Sequence, residues 1–176
     1  FVEAADYPQT LPYTKDRPLI VTRTFSKAYG LAGLRIGYGI AQPPIIAAMD
    51  AVREPFNVNS LAQAAAVAAL GDTAFLARTQ RLIREGRRYL TRELDALKLR
   101  CVPSVTNFIL IELGPGAATV AQGLLRRGII VREMSDWKLG GCLRVTIGTM
   151  PENRRFIAAL KKCQTLHKAR EVSDTF

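Results

Sequence analysis

The chain holds 176 residues, 48% apolar and 23% charged, with a formal net charge of +10, three cysteines and one histidine. That length has room for one real core and a small second subdomain, and no apolar run approaches the roughly 20 residues of a membrane span. No signal-peptide pattern is read at the start, Cys101, Cys142 and Cys163 form no CxxC pair, and His167 alone cannot supply a metal site or a Ser-His-Asp triad, so a reduced, cytoplasmic protein without a metal centre is expected.

The first stretch, FVEAADYPQTLPYTKD, contains no clear element. RPLIVTRTF (17–25) then reads as a buried strand: short, β-branched and opened by a proline. LRIGYGIA (34–41) reads as a second strand, with glycines that admit close backbone approach. Residues 26–33 between them must form a loop or turn. A parallel strand such as 17–25 needs neighbours on both sides. Too few strands precede it, so the chain is expected to be the C-terminal part of something longer.

PPIIAAMDAVRE (43–54) is a helix opened by prolines and stopped before Pro55. Ser60 and Gln63 suit a capping box for an alanine-rich helix that ends at Gly71. Asp72 caps a long helix to about Leu97, whose apolar positions Phe75, Leu76, Leu82, Ile83, Leu90, Leu94 and Leu97 recur at three-to-four spacing. Gly86 inside it costs about 1 kcal/mol against alanine and marks a close helix crossing.

Beyond Arg100 the pattern changes to short alternating elements. NFILIEL is a strand, ATVAQGLLRRG a short helix, IIVREM a strand and CLRVTIG another strand. A helix from Pro151 runs to about Cys163, with Thr149 and Glu152 as its capping box. HKAREVSDTF reads as a frayed tail.

The positive charge invites a nucleic-acid reading. However, Arg78, Arg81, Arg84, Arg87, Arg88 and Arg92 all fall on the long helix, which needs a polar outer face. No interleaved aromatics offer stacking platforms. A solvated helix face accounts for the charge, and neither a nucleic acid nor a membrane is expected as partner.

The chemistry concentrates in TRTFSKAYGLAGLRIGYG (22–39). Lys27 follows Ser26 just past a strand end, where α/β proteins place their chemistry. A Walker loop needs its glycines before the lysine, and here they come after it. Serine and threonine hydroxyls with a guanidinium nearby can still bind a phosphate. A lysine amine beside them suits condensation with the aldehyde of a phosphorylated cofactor.

TFSKAYGLAGLRIGYGIA closely resembles the lysine segment of fold-type I pyridoxal-phosphate aminotransferases. GIIVREMSDWKLGGCLRVTIGTMPENRRFIAAL resembles the C-terminal domain of the histidinol-phosphate aminotransferase family, and TNFIL (106–110) sits where that family has its Asn-Phe strand. The resemblance covers roughly residues 1–163. It implies an α/β fold in which 1–71 form the C-terminal part of the cofactor-binding large domain. Residues 72–165 would form a small α+β C-terminal domain including the long linking helix, and 166–176 a tail.

The resemblance also implies site residues. Lys27 would bind pyridoxal 5'-phosphate covalently and then carry the proton between the substrate Cα and the cofactor. Ser26 and Arg35 match the ligands of the cofactor phosphate, and Thr24 assists. In CLRVTIG, Leu143, Val145 and Ile147 share one face, leaving Arg144 and Thr146 on the other. Arg144 matches the arginine that grips the substrate α-carboxylate, and Arg132 the one that meets the phosphate of histidinol phosphate. Asn107 is given a structural task, and Cys142 is read as core.

Two departures stand beside the match. In the resemblance FVEA aligns so that Phe1 stands where the family has a tyrosine whose hydroxyl contacts the cofactor. The aspartate for the pyridine nitrogen, the stacking aromatic and an asparagine are not in this sequence, so the 176 residues alone are expected to transfer no amino group. The implied activity is amino transfer between histidinol phosphate and 2-oxoglutarate by a homodimer acting on small amino-acid and 2-oxo-acid substrates. An aromatic-amino-acid aminotransferase or a phosphothreonine decarboxylase of the same fold is the alternative. A basic binding module without catalysis is the reading from a different class.

Overall fold

A computed structural model describes the backbone of residues 7–173 and the side chains of residues 7–163. Phe1, the side chain of His167 and the last three residues lie outside the described residues. Among the described residues two compact units are present, 7–80 and 81–173. The sequence reading starts the second domain where the long helix is capped; the compact units part within that helix.

In the first unit, β1 (Val21–Thr24) pairs with β2 (Gly37–Ile40). The pairing is antiparallel, from Val21 opposite Ile40 to Thr24 opposite Gly37. Among the described residues β2 is the sole strand partner of β1, so the parallel neighbours expected of 17–25 are not among them. The antiparallel pairing with β2 has a local cause. The connection holds a loop and a 3-10 turn (Ala32–Leu34) but no crossover helix, and a parallel pairing requires such a crossover. Gly37 admits the close approach of the two strands, since a Cβ there would lie 2.7 Å from the Arg23 carbonyl oxygen.

Helix α1 (Pro43–Val52) follows, with prolines in its first turn, and then α2 (Ser60–Gly71). The cap of α2 is Asn59 rather than Ser60: its Oδ1 accepts from the Ala62 amide at 2.8 Å. Asparagine is as good an N-cap as serine, and it takes the position one residue earlier. Gln63 does not reach back to a capping serine; it donates to the Val58 carbonyl at 2.9 Å. Helix α3 (Thr73–Ala96) is capped as the sequence suggests, with Asp72 Oδ1 accepting from the Phe75 amide at 2.9 Å.

The second unit carries a four-stranded antiparallel sheet of β3 (Arg100–Val102), β4 (Phe108–Glu112), β5 (Arg132–Glu133) and β6 (Cys142–Thr146), in the order β3-β4-β6-β5. The strand read over 129–134 is confined to two residues. Strands β4 and β6 alternate buried and part-exposed side chains, as one-sided burial demands. Ile109, Ile111, Leu143 and Val145 point into a core shared with Leu90 and Leu94 of α3, with Val120 and Leu124 of α4 (Ala117–Leu125), and with Phe156 and Leu160 of α5 (Met150–Ser173). The last helix continues ten residues past its expected end at Cys163, because no glycine or proline stands between that residue and Ser173.

Gly86 has a packing task. A Cβ there would fall 2.5 Å from Ile147 Cγ2 and 2.8 Å from Asn153 Nδ2, so α3 passes close to the end of β6 and the first turn of α5. Asn153 is buried and clips the backbone of Gly148, accepting from its amide at 3.0 Å and donating to its carbonyl at 2.9 Å. Of the expected capping box one half forms: Glu152 accepts from both the amide and the hydroxyl of Thr149 at 2.7 Å.

Candidate active site

The lysine loop is fixed by its own backbone. The β1–β2 ladder runs on through the Phe25 amide to the Ile36 carbonyl at 3.2 Å, and Leu31 N–H returns to the Phe25 carbonyl at 3.0 Å. A tight turn closes between Lys27 and Gly30 through a 3.0 Å bond, with Gly30 at φ +73°. The buried Phe25 ring anchors the loop and packs against Tyr29 and Tyr38, with centroids at 5.0 and 5.8 Å. Lys27, next but one along the chain, stands exposed just past the strand end.

The expected phosphate ligands line a common groove, and Lys27 is not among its lining residues. Thr24, Ser26 and Arg35 all line one groove of about 910 Å³ within this unit, together with Tyr38, Arg53 and Asn57. Thr24 Oγ1 accepts from the Ser26 amide at 3.0 Å, which couples the two hydroxyl residues in one turn. Arg35 adopts left-handed backbone angles (φ 53°, ψ 49°), uncommon for a side chain with a Cβ. It spends one guanidinium nitrogen on the Ala32 carbonyl at 2.7 Å, leaving its other donors available.

The second unit holds the other two expected residues. Arg132 and Arg144 stand directly opposite each other across β5 and β6, so both side chains rise from the face of the sheet turned away from the core. Like charges in that arrangement repel. Each guanidinium lies against an aromatic ring instead of an acid: Arg132 is 5.6 Å from the centroid of Trp137, and Arg144 5.2 Å from that of Phe108. Among the described residues neither makes a hydrogen bond or an ion pair, so their N–H donors are free for an anion. The neighbouring Glu133 is occupied elsewhere. It accepts from the Ser135 hydroxyl at 2.7 Å and the Ser135 amide at 3.1 Å, and these bonds hold its carboxyl below the usual carboxylate range.

The two rings were missed by sequence reasoning, which took Phe108 only as part of a strand and left Trp137 unassigned. Strand alternation could have found Phe108, because β4 and β6 pair in register and put it on the Arg144 face. For Trp137, five residues after Arg132 in a loop, no periodic signal exists. Cys142, read as core, is half-buried on the arginine face. No group of three or more potential metal ligands occurs among the described residues.

The family model for aminotransferase class I and II matches residues 1–160. The chain belongs to that aminotransferase family. It is 48% identical over 163 residues to histidinol-phosphate aminotransferase 2 of Pseudomonas fluorescens (strain Pf0-1), a match that takes in 92% of this chain and 44% of that protein. Among solved structures, the aminotransferase chain resembles the histidinol-phosphate aminotransferase from Sinorhizobium meliloti in complex with pyridoxal-5'-phosphate. That likeness has TM-score 0.78 and 34% identity, over 86% of this chain and 43% of the other. It also resembles L-threonine-O-3-phosphate decarboxylase from Porphyromonas gingivalis, with TM-score 0.74 and 29% identity, over 86% and 48% of the two chains. The chain thus spans less than half the length of these relatives, and its fold is that of the corresponding part of a fold-type I aminotransferase.

Proposed function

We propose that the protein carrying this chain is a pyridoxal-phosphate-dependent histidinol-phosphate transaminase, moving an amino group from histidinol phosphate to 2-oxoglutarate in histidine biosynthesis. The observation that carries the reading is the direct opposition of Arg132 and Arg144 on an open sheet face with no acidic partner. A substrate with a concentrated negative charge is what such a pair accommodates.

Histidinol phosphate bears a phosphate ester where an amino acid bears its α-carboxylate. Arg144 therefore meets the phosphate in one half of the reaction and the α-carboxylate of glutamate in the other, while Arg132 adds a second fork suited to the larger, doubly charged group. In the first unit the donor set fits the cofactor: the Thr24 and Ser26 hydroxyls and the Arg35 guanidinium share one groove and suit a phosphate, with the Lys27 amine one residue further on. Pyridoxal phosphate supplies an electron sink for bond breaking at the substrate Cα. Lys27 Nζ would hold the cofactor in the resting enzyme and, when free, would carry the proton from the substrate Cα to the cofactor. Three cysteines without a disulfide support a cytoplasmic setting, and the exposed Val52, Phe56 and Leu61 support an assembled state, which we take to be a homodimer.

The test is a comparison of amino donors with 2-oxoglutarate as acceptor. Histidinol phosphate should give the highest kcat/KM, ahead of phenylalanine and tyrosine. Release of carbon dioxide from phosphothreonine, without amino transfer, would favour the decarboxylase reading that the Porphyromonas likeness suggests.

A further inference from the structure

Trp137 is the one tryptophan of the chain, and it is 60% exposed. A large aromatic left in water forgoes the burial free energy such residues ordinarily gain. The loop that presents it is nonetheless well tied. Trp137 N–H donates to the Met134 carbonyl at 3.0 Å, Lys138 N–H to Ser135 at 2.9 Å and Leu139 N–H again to Met134 at 3.2 Å. Lys138 turns the chain through left-handed angles at φ 58°, and the Met134 side chain is buried beneath. The indole is thus held in solvent by its own backbone, with the Arg132 guanidinium over its ring.

That contact differs in kind from an ion pair. A carboxylate would occupy the N–H donors of Arg132 and neutralise it, whereas a ring face attracts the cation and uses none of them. Glu133 is turned to Ser135, and Asp136, beside Trp137 in the loop, makes no ion pair with Arg132. Repulsion from Arg144 directly across the ladder acts to swing Arg132 away. The indole is the group that opposes it.

We propose that Trp137 is a positioning residue for the phosphorylated substrate: it holds Arg132 over the open face of the sheet with its donors free for a phosphate monoester. The proposal rests on the reading of Arg132 as a phosphate ligand. Assayed in the full-length holoenzyme, Trp137→Ala should raise KM for histidinol phosphate about two- to fivefold, the fold-change matching an exposed cation–π contact. It should leave kcat and the KM for 2-oxoglutarate unchanged. Trp137→Phe keeps a ring face and should recover most of the loss. In an Arg132→Ala background the further change Trp137→Ala should add nothing, because the contact it removes is already gone. A fall in kcat, equal rises in both KM values, or an undiminished penalty in the Arg132→Ala background would overturn the proposal. A penalty from Arg132→Ala with none from Trp137→Ala overturns it alone, whereas an unchanged KM in Arg132→Ala overturns the phosphate reading and the proposal with it.

Discussion

Residues 81–163 bury Leu90, Leu94, Ile109, Ile111, Leu124, Leu143 and Leu160 almost completely, whereas residues 7–80 leave Val52 and Phe56 at 84% and 98% exposure and Leu61 and Val67 nearly as open. Apolar residues are common in both regions. What differs, within a chain that spans less than half the length of its relatives, is the number of surfaces present to close on them. In the second unit one face of a four-stranded sheet meets three helices, and alternate side chains from every element enter one cluster. In the first, a two-stranded sheet and alanine-rich helices cover little beyond Val21, Phe25, Ala62 and Ala66. The lysine loop therefore owes its shape to backbone hydrogen bonds, one buried phenylalanine and a left-handed Arg35, and the arginine face owes its shape to a packed core. Substitutions should separate the two.

The widest gap should come from truncating matched apolar residues. Leu94→Ala removes a fully buried side chain from the shared core and should cost about 2–5 kcal/mol in denaturant unfolding. In the same 176-residue chain Val67→Ala, on an exposed helix position, should stay within about 0.5 kcal/mol. Equal losses would erase the distinction between the regions.

Arg35→Ala should act chiefly on the cofactor, with the exposed Ala32 contact a minor loss to the loop. Loss of a charge-assisted contact worth roughly 1.5–3 kcal/mol lowers the affinity for pyridoxal phosphate by about one to two decades, a far larger change than any in the unfolding midpoint of the cofactor-free protein. An unaltered dissociation constant would show that Arg35 faces elsewhere.

Gly86→Ala should behave in the opposite manner. The added methyl meets Ile147 and Asn153, and the overpacking should cost about 1–3 kcal/mol despite the better helix propensity of alanine. A stabilised variant would mean that α3 can move away from the end of β6.

The smallest effect should be a pH dependence confined to the second unit. Hydrogen bonds from Ser135 and Thr149 hold the carboxyls of Glu133 and Glu152 below the usual range. Their contribution is fully present above the unfolded carboxylate value of about 4.3 and is lost as pH falls through the lower folded values. Glu152→Gln should flatten that part of the acid limb of a stability-against-pH curve, and an unchanged limb would remove the role assigned to the Thr149 contact.

Sequence made the second unit far more legible than the first. The three-to-four spacing of Ile83, Leu90 and Leu94 and the alternation of Leu143 and Val145 match their burial, because there the residues that look like core have partners to pack against. The same reasoning applied to 17–25 located the strand but not its antiparallel pairing with β2, since a short β-branched run does not encode the direction of its neighbour. Asn59 and Ser60 are adjacent and both suited to capping, so propensity could not choose between them. Thr24, Ser26 and Arg35 were visible as a cluster because a strand end and a tight turn are local features. The Arg132–Arg144 opposition depends on hairpin register, and the ring beneath each guanidinium on loop geometry, neither of which a linear pattern specifies.

The account turns on Lys27 as the amine that holds the cofactor, and the most direct measurement is chemical trapping. Cofactor-loaded protein is reduced with borohydride, digested, and mapped by mass for a pyridoxyl group. The account predicts the group on Lys27, in the peptide containing TFSK. A label on any other lysine, or a loaded protein that takes no label, would contradict it.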